Sequence, residues 1–464
     1  MTARKSYLRL LFVFFVVAPS GGVFLTHTGS VLASVGDGPS DGENPVVHQP
    51  AEIRSADDLT LVTAHYDDAK NGSLKAFTDD GEVVYETRAH QRIFDVDPVP
   101  GEKYTVTYVG STVRSDSACK LDAGSGLSCI RNVVQRVNLS TGESERMYNY
   151  DVVTRHGHDS VHDVDRINES HYLVADIFHN RAFIVNTSAN VITWEWRARS
   201  EFPYTTGGAI RDWTHINDVE YLEDQNVVMI DPRNHDQIWF VHRQKGLLEN
   251  RTLGADDDHS VLYEQHNPDY IPAERGGPSV VVADSENNRI VEYQREDGPD
   301  GREEWNRTWT WRDAKMEWPR DADRLPNGNT LITDTHSNRI FEVTPAGEIV
   351  WQVSMAKPYE AERLGTGDES AGGQSATALG YESRTPEVER GDEEATLQGR
   401  IYGAVRSVLP TKLYHGIRWM LPAWMGLFDI LLVAISGLSL VGWVVSELYW
   451  TDRIGLRNPI RLGR

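Results

Sequence analysis

Polar and apolar residues alternate in short segments over most of the chain, between about Ser55 and Val353. Such alternation, bounded by Gly, Asn and Asp, is typical of short β-strands joined by tight turns. One order recurs four times: a short strand, a turn, an apolar strand that ends in Asp, a tight turn and a further strand. The recurrences begin at His162, His215, His266 and Arg320. Their closing aspartates, 55, 53 and 50 residues apart, are Asp176, Asp231, Asp284 and Asp334.

Two weaker units precede these four, L-T-L-V-T-A-H-Y-D and K-Y-T-V-T-Y-V with the strands that follow them. A period of about 50 residues with such turns is typical of β-propeller blades. W-E-W-R-A-R and W-T-W-R-D-A fit the outer strands of two blades. A β-sandwich is the alternative, but it leaves the repeated Asp-turn-Asn-Arg frame unexplained. We therefore predict an all-β, six-bladed β-propeller over residues 55–355.

The repeat also separates the frame of the blades from candidate chemistry. H-D-V-D-R-I at His162 aligns with R-D-A-D-R-L at Arg320, so the aspartates and the arginine recur where no histidine is present. We interpret Asp163, Asp165 and Arg166 as frame residues that tie strands together. Residues that begin a unit are expected to face the central channel of a propeller. His162, His215 and His266 begin three successive units and should converge there.

Both ends of the chain differ from this domain. Residues 1–33 combine basic residues with an apolar run, which predicts either a cleaved signal peptide or a signal-anchor. Residues 419–448 are predicted to form a transmembrane helix, and Asp429 lies inside it. The arginines of residues 449–464 predict a cytoplasmic tail, which places the large domain outside the cell membrane. Residues 356–400 lack apolar periodicity and predict an acidic, disordered linker.

The charge of the chain narrows its partners. A formal net charge of −23 argues against nucleic acid, because the sequence offers no basic surface to neutralise phosphates. It is typical of proteins that stay soluble in high salt, which points to a halophile. In an external domain Cys119 and Cys129 are expected to form a disulfide. Possible N-glycosylation sites are Asn71, Asn138, Asn168, Asn186, Asn250 and Asn306.

A cluster of histidines and aspartates, R-H-G-H-D-S-V-H-D, raises the question of a metal site. A dinuclear metallohydrolase loop needs H-x-H-x-D-H, whereas Asp159 and His162 are three residues apart here. We expect no catalytic metal, and we interpret His156 and His158 as loop residues.

The stretches D-W-T-H-I-N-D-V, D-P-R-N-H-D-Q-I and Y-E-Q-H-N-P-D-Y-I are more specific. Together with the His-Asp element at His162, they resemble the motifs of bacterial-type arylsulfate sulfotransferases, which are extracytoplasmic six-bladed propellers. The resemblance covers about Leu59 to Val353. One departure is Asn234, which separates Arg233 from the histidine that follows it and looks like a small insertion.

The resemblance implies a sulfuryl transfer in two steps without a nucleotide or other cofactor. His266 would be transiently sulfurylated, Arg233 and His215 would bind the sulfuryl oxygens, and His162 would act as general acid and base. Asn217, on the same strand face as His215, is a candidate substrate-binding residue. The implied partners are a small aryl sulfate and a phenolic acceptor, or a surface glycan.

Two other functions remain open from the residues alone. One is a non-catalytic, membrane-tethered propeller that binds a glycan or a cell-surface protein. The other is a lactonase-like hydrolase with a metal in the channel. If the functional atoms of His162, His215, Arg233 and His266 lie more than about 10 Å apart, well beyond catalytic hydrogen-bond reach, binding becomes the better hypothesis.

Overall fold

A computed structural model of the chain describes residues 7–17, 47–48, 50–55, 59–65, 71–114, 127–154, 160–298, 303–385, 409–423 and 425–450. These residues fall into two compact units. Residues 41–393 and 411–419 form the first, and residues 1–40, 394–410 and 420–464 form the second. We describe each unit by itself.

Six antiparallel sheets make up the first unit, and we number them as blades in chain order. Blade 1 consists, from the inside outwards, of Pro358–Arg363, Thr60–Ala64, Ser73–Phe77, Val83–Thr87 and Val47–His48. Blade 2 consists of Arg92–Pro98, Thr105–Arg114, Ser128–Asn138 and Ser144–Thr154. Blade 3 consists of Val164–Asn168, His171–Asp176, Arg181–Asn186 and Val191–Arg197.

Blade 4 consists of Ile216–Leu222, Val227–Pro232, Gln237–His242 and Gly246–Leu247, with Leu253–Gly254 also paired to its third strand. Blade 5 consists of His266–Ile271, Ser279–Asp284, Arg289–Asp297 and Glu303–Trp311. Blade 6 consists of Pro319–Arg324, Thr330–Asp334, Arg339–Val343 and Ile349–Ser354. Short helices lie at Pro50–Ser55 and Ala376–Leu379, and a longer one at Thr411–Met420.

The prediction of an all-β, six-bladed propeller is confirmed. The two Trp-rich segments form the outermost strands of blades 3 and 5, as expected. Six clusters of buried apolar residues fill the spaces between neighbouring blades. The cluster between blades 6 and 1 includes Leu331, Ile340 and Val62, and it closes the ring. Strands covered on both sides in this way read as nearly continuous apolar runs in the sequence.

The domain boundary at residue 355 is wrong. Pro358–Arg363 pairs with Thr60–Ala64 and supplies the inner strand of blade 1, so the end of the chain segment completes the blade that its beginning started. Residues 356–385 therefore belong to the propeller rather than to a linker, and Gly373 packs too closely against the carbonyl of Arg324 to carry a side chain. Residues 386–400, the rest of the predicted linker, lie outside the described residues.

The repeated frame is an ion pair, and one member of the predicted set is out of register. Asp176, Asp284 and Asp334 each bind the arginine five residues later, at 2.7, 2.6 and 2.9 Å. In blade 4 the frame position is Pro232, which pairs with the start of the inner strand. Asp231 precedes it and binds the side chain of Gln265 instead.

Asp163 and Asp165 tie neighbouring blades together, as their interpretation as frame residues requires. The Oδ2 atom of Asp163 accepts a hydrogen bond of 2.7 Å from the backbone N–H of Val219, and that of Asp165 accepts one of 2.6 Å from Tyr221. A carboxylate that takes the place of a sheet hydrogen bond in this way fixes the distance between two inner strands.

The second unit contains the apolar helices at the two ends of the chain, Tyr7–Val17 and Leu427–Trp450. Asp429–Trp450, with a mean hydropathy of 2.0, is long and apolar enough to cross a membrane. The predicted span began too early, because Trp419 belongs to the separate helix Thr411–Met420. Asp429 lies in the first turn, where its carboxylate accepts the N–H of Gly426 at 2.9 Å, a favourable place for an anion.

Within this unit the two helices lie side by side. The Nη2 atom of Arg9 donates a hydrogen bond of 2.7 Å to Oε2 of Glu447, and the hydroxyl of Ser436 donates to the carbonyl of Val16 at 3.2 Å. The choice between a cleaved signal peptide and a signal-anchor stays a prediction.

Other features predicted for an external domain have the following places in the fold. Cys129 has no free thiol, and Cys119 lies outside the described residues. Of the predicted glycosylation sites, Asn168, Asn250 and Asn306 are exposed.

The buried frame of blade 6 yields a test of stability. Arg339 binds Asp334 at 2.9 Å and Asp313 at 2.7 Å, and replacing it with alanine leaves two buried carboxylates without their partner. We expect Arg339→Ala to lower the free energy of unfolding by about 3–5 kcal/mol. Arg136→Ala, which breaks the partly exposed pair with Glu102, should cost less than about 1 kcal/mol. Denaturant unfolding followed by tryptophan fluorescence measures both, and equal losses would contradict a structural role of the frame.

Candidate functional site

A cavity of about 560 Å³ lies at the end of the channel where the inner strands begin. Its lining is rich in positive charge and in aromatic rings. The cationic side chains are Arg92, Arg211, Arg233, Arg320 and Lys412. The carboxylates are Asp212, Glu264 and Glu286, and the rings include His65, His162, His215, His415, Trp318 and Trp419.

His162 and His215 lie next to each other, with their ring centres 5.2 Å apart. The ring of His162 also packs on Phe94 at 4.0 Å. Its Nδ1 atom is 3.0 Å from the carbonyl oxygen of Ser160. Since a carbonyl only accepts, Nδ1 of the neutral ring carries the proton and Nε2 keeps a lone pair.

Asp212 joins His215 to Arg233. Its Oδ1 atom is 2.5 Å from Nδ1 of His215, and its Oδ2 atom is 3.3 Å from Nη2 of Arg233. Asn234, which looked like an insertion in the sequence, accepts a hydrogen bond of 2.9 Å from Nε of Arg233 and binds the carbonyl of Asp212. The departure from the family motif therefore holds the guanidinium in place rather than displacing it.

His266 lies behind the cavity lining and is only 1 % exposed. Its ring centre is 5.9 Å from Trp318 and 6.3 Å from Tyr359, a residue whose ring is also 5.9 Å from His162. The Nδ1 atom of His266 is 2.8 Å from the hydroxyl of Ser285.

Ser285 determines which nitrogen of His266 carries the proton. The hydroxyl donates to the carbonyl of Pro319 at 2.7 Å, so its oxygen is left to accept from Nδ1–H of His266. The carbonyl of Glu264, 3.2 Å from the same nitrogen, requires the same tautomer. The lone pair of the neutral ring is thus on Nε2.

Burial keeps the three histidines uncharged near neutral pH. It lowers the pKa of His266 well below the ordinary value, and the positive charges of Arg320 and Arg233 lower it further. Burial and the neighbouring His215 lower the pKa of His162 in the same direction. Burial also lowers the pKa of His215, although Asp212 opposes the change. Each ring therefore offers a lone pair rather than a positive charge.

Several residues at the entrances to the inner strands have strained backbones. His215, Glu264, Trp318 and Lys357 have φ angles of 48°, 44°, 55° and 47°, in the left-handed region that side chains with a Cβ atom rarely adopt. Strain of this kind persists only where the surroundings impose it, and it concentrates at functional sites. Here it accompanies residues that line the cavity or cover it.

Arg320 is the main site residue that the sequence did not reveal. It was aligned with His162 as the place where the histidine is missing, and it is only 4 % exposed. Its guanidinium lies 4.4 Å from the ring centre of Trp318, 4.5 Å from that of Tyr359 and 5.0 Å from that of Trp419. The alignment of the repeat units could have identified Arg320, because an arginine at a channel position supplies charge as readily as a histidine.

A helix covers the cavity, and we call Thr411–Met420 the cap helix. Lys412, His415 and Trp419 lie three and four residues apart, hence on one face, and all three line the cavity. The ammonium group of Lys412 is 2.7 Å from Glu264, and Nδ1 of His415 is 3.1 Å from Nδ1 of His336. The sequence alone predicts a membrane span that begins at Trp419, because the aromatic and apolar residues there resemble the edge of such a span.

The remaining candidates lie outside the cavity. Asn217 is buried, and its amide donates to the carbonyl of Gln265 at 3.4 Å, so it supports the chain before His266 rather than lining the cavity. His156 and His158 lie outside the described residues.

The four predicted catalytic side chains therefore gather at one end of the channel. His162, His215 and Arg233 line the cavity together. His266 lies behind the cavity lining, where the charge of Arg233 lowers its pKa. A neutral imidazole next to fixed guanidinium groups is an arrangement suited to an anionic ligand.

No protein-family model matches this sequence, and no curated protein matches it either. Among solved structures, a periplasmic gluconolactonase from Pseudomonas aeruginosa has 11 % identity and a TM-score of 0.41, covering 67 % of this chain and 99 % of its own. A protein of unknown function from Bacteroides caccae has 10 % identity and a TM-score of 0.44, covering 66 % and 99 %. A chain of a nidogen/laminin complex has 11 % identity and a TM-score of 0.42, covering 67 % and 99 %. Likeness at this level carries no argument about function.

The attachment of the cap helix is testable without knowing the substrate. Glu317 accepts a hydrogen bond of 2.8 Å from the hydroxyl of Tyr414 and pairs with Arg418 at 3.6 Å. Hydrogen bonds to a charged group contribute about 1.5–3 kcal/mol, so Glu317→Gln should speed amide exchange over residues 411–419 by about 10- to 100-fold. Hydrogen–deuterium exchange measures this, with the exposed Glu348→Gln as the control. Unchanged exchange in Glu317→Gln would show that the helix is held by other contacts.

Proposed function

We propose that the protein is an arylsulfate sulfotransferase that moves a sulfuryl group from an aryl sulfate to a phenolic acceptor. The observation that carries the proposal is the fixed tautomer of His266 beside a cavity lined with arginines. The lone pair on Nε2 is the group that a covalent mechanism needs, and the guanidinium groups match the charge of a sulfate ester. The motif resemblance found in the sequence supports the same reaction.

In the first half of the proposed reaction, Nε2 of His266 attacks the sulfur of the aryl sulfate. The bond between sulfur and the phenolic oxygen breaks, and its electron pair leaves on the phenolate. Arg233 and Arg320 offset the charge on the equatorial sulfuryl oxygens, since positioning and electrostatic stabilisation do most of the work in transfers of this type. Nδ1–H of the sulfurylated ring stays hydrogen-bonded to Ser285.

In the second half, the hydroxyl of the acceptor phenol attacks the sulfur. Its proton passes to Nε2 of His162, the bond between sulfur and His266 breaks, and the electron pair returns to Nε2 of His266. His162 then releases this proton to solvent and is uncharged again when the next aryl sulfate binds. Asp212 holds His215 and Arg233 in a fixed geometry for the sulfuryl oxygens in both halves.

The apolar helix Asp429–Trp450 supports a membrane-anchored enzyme, and we propose that the propeller is extracytoplasmic with a cytoplasmic tail. The same location fits the predicted disulfide and glycosylation. The acceptor in this setting is a small phenol or a group on a surface glycan.

A second candidate is a propeller that binds a sulfated glycan without transferring the sulfate. The observation that favours it is the burial of His266, which is only 1 % exposed behind the cavity lining. In that case the arginines bind the anion and His266 only supports the channel wall.

A transfer assay with matched variants separates the two. We expect wild-type protein to convert a chromogenic aryl sulfate and an acceptor phenol with ping-pong kinetics, and His266→Ala to lose at least ~10³-fold of kcat/KM, because the nucleophile is removed. Ser285→Ala should lower kcat by about 10-fold with little change in KM, because Nδ1 of His266 then keeps only its longer contact of 3.2 Å with the carbonyl of Glu264. Because burial and the arginines lower the pKa of His266, activity should persist below the ordinary histidine pKa of about 6.5.

The control is His171→Ala, a histidine at the start of the second strand of blade 3, away from the cavity. It should leave the activity unchanged. Mass spectrometry of wild-type protein mixed with the donor alone should find one sulfuryl group on the peptide that contains His266. Tight binding of an aryl sulfonate without any transfer or labelling would instead support the binding protein.

A further inference from the structure

Below the cavity, acidic side chains line the channel in two layers. Each inner strand contributes alternate residues, which share the face that points to the channel axis. The first layer consists of Glu360, Asp95, Asp163, Asp218, Asn267 and Asp321. The second layer consists of Glu362, Asp97, Asp165, Glu220, Asp269 and Asp323.

Most of the first layer has a structural explanation. On each inner strand, one residue lies between the two layer residues. Its backbone N–H can donate to the first-layer carboxylate of the preceding inner strand. Val96 donates in this way to Glu360 at 2.8 Å, and Val164 donates to Asp95 at 3.0 Å. Asp218 and Asn267 are the exceptions. The residue that would donate to Asp218 is Pro268, which has no N–H, and neither Oδ2 of Asp218 nor Oδ1 of Asn267 has a hydrogen-bond partner.

The second layer also has carboxylate oxygens without a hydrogen-bond partner, in Asp97, Glu362, Asp269 and Asp323. Asp269 has one oxygen bound to the hydroxyl of Ser370 and the other, Oδ1, without a partner. Neither carboxylate oxygen of Asp323 has a partner, although the residue is only 1 % exposed. Oxygens buried in this state are costly unless something else binds them.

A loop brings one more carboxylate to this place. The segment around Asp368–Ser370 closes the far side of the channel, where Ser370 also accepts the N–H of Arg324 at 2.7 Å and the N–H of Glu369 donates to Glu362 at 3.1 Å. Glu369 has a left-handed backbone with φ of 51°, and its side chain meets both layers.

Two triads share Glu369: one with Asp163 and Asp218, the other with Asp269 and Asp323. In each triad, one oxygen from every residue lies within 4.8 Å of the others. None of these five carboxylates forms an ion pair with a described Lys, Arg or His side chain. The nearby Arg324 is already bound to Glu292 at 3.0 Å.

We propose that this part of the channel binds a divalent cation of the calcium type, held by Glu369 together with Asp269 and Asp323. Carboxylate oxygens without nitrogen or sulfur donors select a hard cation. Calcium binds oxygens at about 2.3–2.6 Å, so ligands on opposite sides of the ion lie about 5 Å apart, which suits the observed spacing. The ion would neutralise the free oxygens of Asp269 and Asp323 and attach the Glu369 loop to blades 5 and 6. This site is separate from the cavity above it and does not depend on the proposed sulfuryl transfer.

Shared protons are the competing explanation, and the response of the stability to calcium separates the two. Protons shared between carboxylates need no cation, whereas a cation that binds only the folded protein stabilises it. The positive groups that face these carboxylates are Arg324, on the inner strand of blade 6, and Arg275.

We expect a chelator to lower the Tm of the full-length protein at neutral pH, because the buried carboxylates then lose the ion that neutralises them. Added calcium chloride should restore the Tm. A Tm that neither the chelator nor calcium changes would mean that the carboxylates share protons only, and the proposal would be overturned.

Direct binding gives the second measurement. Full-length protein in detergent is stripped with a chelator, and calcium binding is followed by isothermal titration and by elemental analysis after desalting. We expect Glu369→Gln and Asp323→Asn each to weaken calcium binding by at least ~10-fold. The control is Asp165→Asn, which has the same layer and residue type but accepts the N–H of Tyr221 and lies outside both triads. It should bind calcium as the wild type does.

The remaining outcomes are also decisive. No calcium bound by wild-type protein, or equal binding by wild type and Glu369→Gln, would refute the site. If a variant fails to fold, as circular dichroism would show, the comparison of wild-type protein with calcium and with chelator still decides the question. Loss of calcium binding in Glu369→Gln with His266 chemistry intact would separate this site from the proposed catalytic one.

Discussion

The hydrogen bonds between a carboxylate on one inner strand and the backbone N–H of the next hold the centre of the propeller together. Outer strands of neighbouring blades meet through apolar side chains, which tolerate small shifts. The inner strands converge too closely for that, and the carboxylate contacts set their spacing. The N–H groups of Val96, Val164 and Val219 donate these hydrogen bonds. The acceptors are Glu360, Asp95 and Asp163, at 2.8, 3.0 and 2.7 Å.

The candidate site is a consequence of this ring. The residue that precedes each first-layer side chain is held at the mouth of the channel, because the next residue is fixed by its contact. These preceding residues are Phe94, His162, Asn217, His266, Arg320 and Tyr359. The aromatic rings in this set contact one another. The ring centre of Phe94 is 4.0 Å from that of His162 and 5.1 Å from that of Tyr359. One residue per blade therefore sets part of the chemistry of the site, while His215, Arg233 and the cap helix add side chains from outside this set.

This view explains what the sequence could and could not predict. The period of about 50 residues predicts the blades, since each blade must present the same apolar pattern to its neighbours. Register within a blade is harder, because a one-residue bulge changes which side chains face the channel without changing composition. In blade 4, Asn217 rather than His215 precedes the first-layer carboxylate and is equivalent to His162, and Pro232 rather than Asp231 occupies the frame position.

Charge is divided along the channel in a way that composition alone does not reveal. Arginines and a lysine surround the cavity, and carboxylates fill the channel below it. The net charge of −23 predicts an acidic, well-solvated surface. Part of this charge is instead buried at the centre of the fold. Burial of like charges opposes folding unless protons or cations neutralise them. The acidic layers thus make the stability of the ring depend on what the channel binds.

The chain beyond blade 6 takes part in each of these features. It supplies the inner strand Pro358–Arg363, the loop that carries Glu369, and the cap helix with Lys412 and Trp419. A fragment that ends at residue 355 would leave Thr60–Ala64 as an exposed sheet edge and would lack both the ring carboxylate Glu360 and Tyr359. The folding unit is therefore longer than the repeat, and the described residues 356–385 and 411–419 belong to the propeller and its cavity.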